Sequence, residues 1–393
     1  MARAGDKSPV VGRLSQEYDL LERHDCAWGP MPPPHVAMLR GGRSGFELSG
    51  ALMPNAHRPC SAAIASWGRL CAAATFAVFI TGSTALTQNA RVEDLVSAVV
   101  RIKTHVNPEG RTVEGLGRER EGSGIIIDND GLVLTIGYLM VEAYAAEVVD
   151  NSGRTVPANV VGYDHESGFG LLRTMEPLKL KPMPLGKSAD VKERDPVLVA
   201  SFGGADMVAG AYVVAKREFA GNWEYMLDEA LFTAPPHPAW SGAALINREG
   251  KLVGVGSLIV GDAAGGSDKT PGNMFVPIDR LLPILGDLIS DGRVAGPGRP
   301  WLGVNTDELR GRLFVSRVTP GGPAEKAGLK RGDVIVGVNG EPPKSLADFY
   351  RKVWAQGAAG ATVPIDVLQD SQVRRVEVKS INRLDHLKLK TTL

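Results

Sequence analysis

Cysteine is scarce in this 393-residue chain, and the three present, Cys26, Cys60 and Cys71, all lie in its first 71 residues. A disulfide framework and a cysteine-based zinc site are therefore both excluded from the main body. An excess of charge of either sign is also lacking. The 44 basic residues balance 44 acidic ones, so neither nucleic acid nor an acidic surface is indicated as a partner. Histidines number seven, and none joins a cluster with metal-ligand spacing. Asp164-His165-Glu166 comes nearest, but the side chains of adjacent residues diverge, so no metal is expected and no other cofactor is implied. One long uncharged stretch exists, Leu70 to Ala90.

Hydrophobic residues make up 44% and charged residues 22%, with 47 Gly and 26 Pro. That composition describes a folded, turn-rich, mostly β protein, and the length calls for two or three domains. Residues 1–52, with the run Pro32-Pro33-Pro34 and no sustained periodicity, read as disordered or as a mis-assigned start. In residues 53–90 a basic lead (His57, Arg58, Arg69) precedes the apolar core Leu70–Ile80 and a small-residue region. This reads as a secretory signal peptide, which implies a periplasmic or secreted protein. The rival reading is an uncleaved inner-membrane anchor, and a buried core helix is the third.

From Val92 to about Ser290 the pattern is of short strands separated by Gly, Asn and Asp turns. Leu95–Thr104 is apolar and β-branched, Gly122-Ser-Gly-Ile-Ile-Ile-Asp follows, and Asn129-Asp130-Gly131 marks a turn. Further strands are expected at Leu132–Thr135, Ala146–Val149, Val156–Tyr163, Gly170–Arg173, Pro196–Phe202, Gly210–Lys216, Tyr225–Thr233 and Lys251–Val260. Many strands at short spacing argue a sandwich or a pair of barrels. Helical spacing appears at Pro277–Ile289, and residues 291–300 form a Gly/Pro-rich linker. A second unit runs over residues 301–381, with strands at Leu313–Val318, Thr362–Leu368 and Val373–Val378 and a helix at Leu346–Trp354 capped by Ser345. Residues 382–393 are left as a tail.

The stretch around which the chemistry is organised is His237-Pro-Ala-Trp-Ser241-Gly-Ala-Ala-Leu-Ile-Asn247. A serine followed by small residues at a tight turn, then a strand, is how a chymotrypsin-type fold presents its nucleophile with backbone N–H groups aimed at a carbonyl oxygen. Taken alone, the motif describes an ordinary turn serine better than a nucleophile.

Two resemblances sharpen the picture. Pro323-Ala-Glu-Lys-Ala-Gly-Leu-Lys-Arg-Gly-Asp-Val-Ile-Val-Gly-Val-Asn-Gly340 resembles the central signature of PDZ domains. Trp301-Leu302-Gly303-Val304 falls where bacterial PDZ domains keep their carboxylate-binding loop. This implies that a peptide C-terminus is held by backbone N–H groups and added as a strand beside Leu302–Asn305. Phe349, Tyr350 and Val353 are candidates for groove wall or core. The order of barrels, linker and PDZ unit resembles the HtrA/Deg family of periplasmic serine proteases. The segments that match are Gly122–Asp128, Leu132–Thr135, Ser241-Gly242, Gly250–Val255 and Phe275–Leu281. The implied fold is a trypsin-like double β-barrel over residues 92–290 followed by the PDZ domain.

The family's triad carries over at one position of three. Where members read Leu-Thr-Asn-x-His-Val-Val, this chain has Leu134-Thr135-Ile136-Gly137-Tyr138-Leu139-Met140, which puts Tyr138 at the base. Where members read Thr-Asp-Leu-Ala-x-Leu-Lys it has Ser167-Gly168-Phe169-Gly170-Leu171-Leu172-Arg173, which puts Gly168 at the orienting aspartate. Ser241 keeps the nucleophile position, while Ala239 replaces an oxyanion-hole glycine and Trp240 adds bulk. A free tyrosine has a pKa of about 10 and is a poor acceptor at neutral pH. Tyr138 and Gly168 are therefore expected to pack the cleft between barrels. His165 and His237 read as solvated loop residues rather than replacement bases.

The implied function is an HtrA-like pseudoprotease in envelope protein quality control or regulation, with a PDZ domain that binds peptides, protein C-termini or unfolded proteins. It would act as a trimer by family resemblance or beside an active paralogue. Two alternatives stay open at this point. One is an active serine endopeptidase using Ser241 with a non-standard base, and the other is a membrane-anchored assembly factor.

Overall fold

The computed structural model describes residues 92–266 and 269–389. The stretches 1–52 and 53–90, with the leader or anchor expected there, lie outside the described residues. Among those described, no helix is long and apolar enough to cross a membrane.

Six strands close the first barrel: β1 (Val99–Val106), β2 (Glu119–Ile126), β3 (Leu132–Ile136), β4 (Ala143–Val149), β5 (Thr155–Tyr163) and β6 (Phe169–Thr174), in the order β1-β2-β3-β6-β5-β4. Alternation drives them. Along β1, Val100, Ile102, Thr104 and Val106 face inward while Arg101, Lys103 and His105 face out. The second barrel repeats the plan with β7 (Pro196–Ala200), β8 (Val208–Gly221), β9 (Tyr225–Ala234), β10 (Ala244–Ile246), β11 (Leu252–Val260) and β12 (Gly272–Pro277). Its order, β10-β11-β12-β9-β8-β7, is again closed. Closure leaves no free strand edge in either barrel. Ile102, Val133 and Leu172 fill the first barrel, and Leu231, Phe275 and Leu245 the second, all essentially inaccessible. Each such side chain contributes about 1.5–3 kcal/mol through burial.

The third unit is a five-stranded sheet in sequential order: β13 (Val304–Leu309), β14 (Arg312–Val318), β15 (Val334–Val338), β16 (Thr362–Gln369) and β17 (Gln372–Lys379). It packs the helix Leu346–Trp354, whose N-cap Ser345 accepts from the Asp348 N–H. Phe349, Tyr350 and Val353 are each about 1% exposed.

Two expected elements differ in the structure. The first strand begins at Val99 rather than Leu95, and residues 92–96 are helical. Val92, Leu95 and Val96 have i, i+3, i+4 spacing behind two acidic residues, a helix signal the strand reading passed over. The expected helix at Pro277–Ile289 is divided. Pro277 ends β12, a 3₁₀ turn covers Ile278–Arg280, and the helix proper is Leu282–Asp291. Pro283 is tolerated only in a first turn, and Gly292, at φ 70°, ends the helix. The segment taken as a tail also has structure. Arg383–His386 is helical and the Lys388 N–H donates to Glu142 of the first barrel at 2.7 Å.

Candidate functional site

Ser241 is positioned from both barrels. Its carbonyl accepts from the Ser123 N–H of β2 at 2.8 Å, and the Ser123 carbonyl accepts from the Thr135 hydroxyl of β3 at 2.8 Å. Gly242 follows at φ 73°, and a Cβ there would stand 1.9 Å from the Ser123 carbonyl oxygen. Only glycine permits this approach, which is why a small residue must follow the serine.

Tyr138, on the 3₁₀ turn after β3, reaches Ser241 across the barrel interface. Its hydroxyl lies 2.8 Å from Ser241 Oγ and 2.9 Å from the Ser257 carbonyl of β11. The phenol has one proton. With that proton donated to Ser257, which can only accept, the serine hydroxyl donates to the phenol oxygen. Burial pushes the phenol up to about 12, against the opposing hydrogen bonds from Ser241 and Trp240. At neutral pH the phenolate fraction is on the order of 10⁻⁵.

Gly168 lies behind Tyr138, in the turn leading into β6. It adopts φ 83°, and the hydroxyl of Tyr225 lies 3.1 Å from the point where a Cβ would stand. Tyr225, buried on β9, donates to the Ser167 carbonyl at 2.8 Å. The structure thus gathers Tyr138 with Ser241, while Gly168 contributes no side chain.

Ala239, two residues before the serine, donates its N–H to Nδ1 of His237 at 3.1 Å. The His237 N–H is held by Asn273 Oδ1 at 2.6 Å, and Asn273 Nδ2 returns to the His237 carbonyl at 3.2 Å. Burial lowers the His237 pKa, so the ring stays neutral and able to accept. The expectation of a solvated His237 is corrected: it is 4% exposed, because Asn273 and the Ala239 N–H satisfy its polar groups. His165 is likewise only partly exposed. Its Nδ1 lies 3.0 Å from the Tyr163 hydroxyl and its Nε2 2.6 Å from Arg383 and 3.1 Å from the Glu224 carbonyl. Desolvation first, then Arg383, depresses its pKa well below the ordinary imidazole value.

The loop at Trp301–Val304 holds a carboxylate, and the carboxylate is the chain's own. Glu224 Oε2 accepts from the Leu302 N–H at 2.8 Å, and Oε1 accepts from Gly303 at 2.6 Å and Val304 at 2.9 Å. Gly303 sits at φ 82°, the left-handed conformation that turns consecutive N–H groups to one point. Glu224 carried no sequence signal, since it occupies an ordinary-looking hairpin turn between β8 and β9. Burial pushes its carboxyl up to about 7, against the three N–H donors and Arg383.

Comparison with known proteins agrees with this architecture. Residues 122–255 match the trypsin-like peptidase domain model and residues 300–380 the PDZ domain model. Serine protease PepD of Mycobacterium tuberculosis is 32% identical over 272 residues, covering 64% of this chain and 58% of that protein. The periplasmic pH-dependent serine endoprotease DegQ of Escherichia coli is 30% identical over 273 residues, covering 65% and 58%. The chain thus spans about three fifths of the length of these curated relatives. Among solved structures, HtrA-type protease AlgW with decapeptide is 23% identical and covers 77% of this chain and 99% of that one, with a TM-score of 0.46. The two matched domain models and the curated relatives PepD and DegQ place the chain in the HtrA/Deg family of trypsin-like serine proteases.

Proposed function

We propose that this protein is a proteolytically silent HtrA/Deg homologue that keeps the double barrel as a scaffold and binds peptide or protein C-termini through its PDZ domain. The observation that carries the reading is the Tyr138–Ser241 hydrogen bond of 2.8 Å. A general base must take the serine proton during attack and work near its own pKa. A phenol held at about 12, with its own proton directed at the Ser257 carbonyl, does neither. Gly168 supplies no carboxylate to orient a base, and the Ala239 N–H is engaged by His237 instead of facing a substrate oxyanion. Loss of a triad acting as a unit costs on the order of 10⁶ in turnover in a serine protease.

The cradle formed by the N–H groups of Leu302, Gly303 and Val304 has the geometry a terminal carboxylate requires, and β13 offers the edge to which an extended peptide adds. Phe349 and Val353, on the neighbouring helix, are buried in the core beneath it. The leader-like residues 53–90 support a periplasmic or secreted setting, with membrane anchoring as the variant, and a role in envelope quality control or regulation. The family's habit of oligomerising supports a homotrimer or assembly with an active paralogue.

The test is cleavage of an unfolded protein by the purified chain beside a Ser241→Ala control. Equal, background-level cleavage by both is expected. Cleavage by the parent that the Ala variant loses overturns the silent reading and makes Ser241 a working nucleophile.

A further inference from the structure

The PDZ carboxylate cradle is not open to solvent. The turn between β8 and β9, Gly221-Asn222-Trp223-Glu224-Tyr225, lies between β13 and the helix Leu346–Trp354 and makes the contacts a bound peptide makes. Glu224 places both carboxylate oxygens on the N–H groups of Leu302, Gly303 and Val304. The Asn222 carbonyl accepts from the Thr306 N–H at 2.8 Å, a strand-addition contact on the free edge of β13. Asn222 Nδ2 donates to Asp307 at 2.7 Å. From the helix, the Tyr350 hydroxyl donates to the Gly221 carbonyl at 2.7 Å and accepts from the Glu224 N–H at 3.1 Å. Met226, at the start of β9, is buried in the PDZ core cluster, and Arg351 pairs with Glu218 of β8.

The geometry assigns the β8–β9 turn as an internal ligand of the PDZ groove: Glu224 stands in for a C-terminal carboxylate, so docking of the turn and binding of an external C-terminus exclude each other. This rests on the reading of the PDZ domain as a C-terminus binder. Two carboxylates cannot share three N–H donors, and an incoming peptide strand needs the β13 edge that Asn222 occupies. The partner that fits is an extended segment with a free terminal carboxylate and an apolar last side chain, because Leu302, Val304, Phe349 and Val353 line or underlie the groove. Its apparent affinity is reduced by the fraction of molecules with the turn docked.

Glu224 has φ 58°, so Glu224→Gly removes the carboxylate and suits the backbone. Two readouts on the full chain test the assignment. One is amide hydrogen exchange at Leu302, Gly303 and Val304. The other is binding of a short peptide ending in Val-Phe, as free acid and as amide. The expected results are slow exchange in the parent, fast exchange in Glu224→Gly, and free-acid affinity at least about tenfold higher in the variant. Tyr350→Phe, which leaves the cradle untouched, is expected to move both readouts in the same direction. Fast exchange in the parent, or equal measurable affinity of parent and Glu224→Gly, overturns the internal ligand. Slow parent exchange that Glu224→Gly releases, with no peptide bound by either protein, upholds the docked turn and removes the peptide-binding reading alone.

Discussion

Tyr225 fills the space a side chain at Gly168 would need: its hydroxyl lies 3.1 Å from the Cβ position of residue 168 and is fixed to the Ser167 carbonyl at 2.8 Å. Restoring an aspartate is therefore not a matter of identity alone. At φ 83° an L-residue costs about 1–2 kcal/mol, and a carboxylate beside a buried phenol adds desolvation. Gly168→Asp is expected to lower stability by about 1–3 kcal/mol in urea unfolding. The double variant Tyr138→His/Gly168→Asp is expected to stay without Ser241-dependent cleavage, since the Ala239 N–H still bonds His237. Robust cleavage by the double variant would show that the two side chains were the whole deficit.

Tyr138 joins the barrels, running from the first to the Ser257 carbonyl of the second. Tyr138→Phe keeps the ring and removes the hydroxyl, which leaves that carbonyl and Ser241 Oγ short of a partner. A loss of about 1–3 kcal/mol is expected from the unpaired groups, read as a shift of the urea midpoint at constant slope. No change in midpoint would mean that water or Trp240 replaces the bond.

Much of this fold was legible because barrel strands alternate: β1 from Val100 onward and β5 up to Asn159 bury every second residue, and the turns between strands carry glycine or asparagine. The PDZ helix was placed at Leu346–Trp354 because a serine cap and amphipathic spacing agree there. The positions of Tyr138, Gly168 and Ser241 came from family motifs. What those residues do to one another came from contacts over long separations, such as the 103 residues between Tyr138 and Ser241. Tyr225 and Glu224 were invisible for that reason. One reads as a strand aromatic and the other as a polar turn residue, and nothing local ties Glu224 to an N–H group 78 residues on. His237 was misjudged because its burial is balanced by Asn273, a partner 36 residues away.

Gly242 offers a sharper stability test. A methyl group there meets the Ser123 carbonyl oxygen at 1.9 Å, a backbone atom that cannot swing aside, and the residue holds φ 73°. Because Ser123 also anchors Ser241 and, through its hydroxyl, the Phe202 N–H, the strain spreads across both barrels. Gly242→Ala is expected to destabilise by more than about 3 kcal/mol. Gly153→Ala is the control, since a Cβ there meets nothing within 4 Å although its φ is also positive, at 88°. Equal losses for the two variants would assign the cost to backbone conformation and not to the close approach.

Docking of the β8–β9 turn is expected to depend on pH through Glu224. In the docked state burial holds its carboxyl at about 7, against an ordinary value of 4.5 once released. Between these values the docked state binds more protons, so docking is strongest below about 4.5 and weakens as pH rises through about 7. Apparent affinity for a C-terminal peptide should then rise with pH, by at most about tenfold per unit, and level off above 7. Arg383 opposes the effect of burial on Glu224, and Tyr350 stays neutral across this range, with burial raising its phenol. His165, depressed by burial and Arg383 while docked, gains a proton on release and so favours undocking as pH falls. That is the opposite sign. The Glu224 contribution is therefore read as the difference between the parent and Glu224→Gln, which keeps His165 in place. A pH-dependent difference that grows from 4.5 to 7 is the expected result. A flat difference would mean that the three N–H donors keep Glu224 ionised throughout, and that the turn is held by charge-assisted hydrogen bonds at every pH in the window.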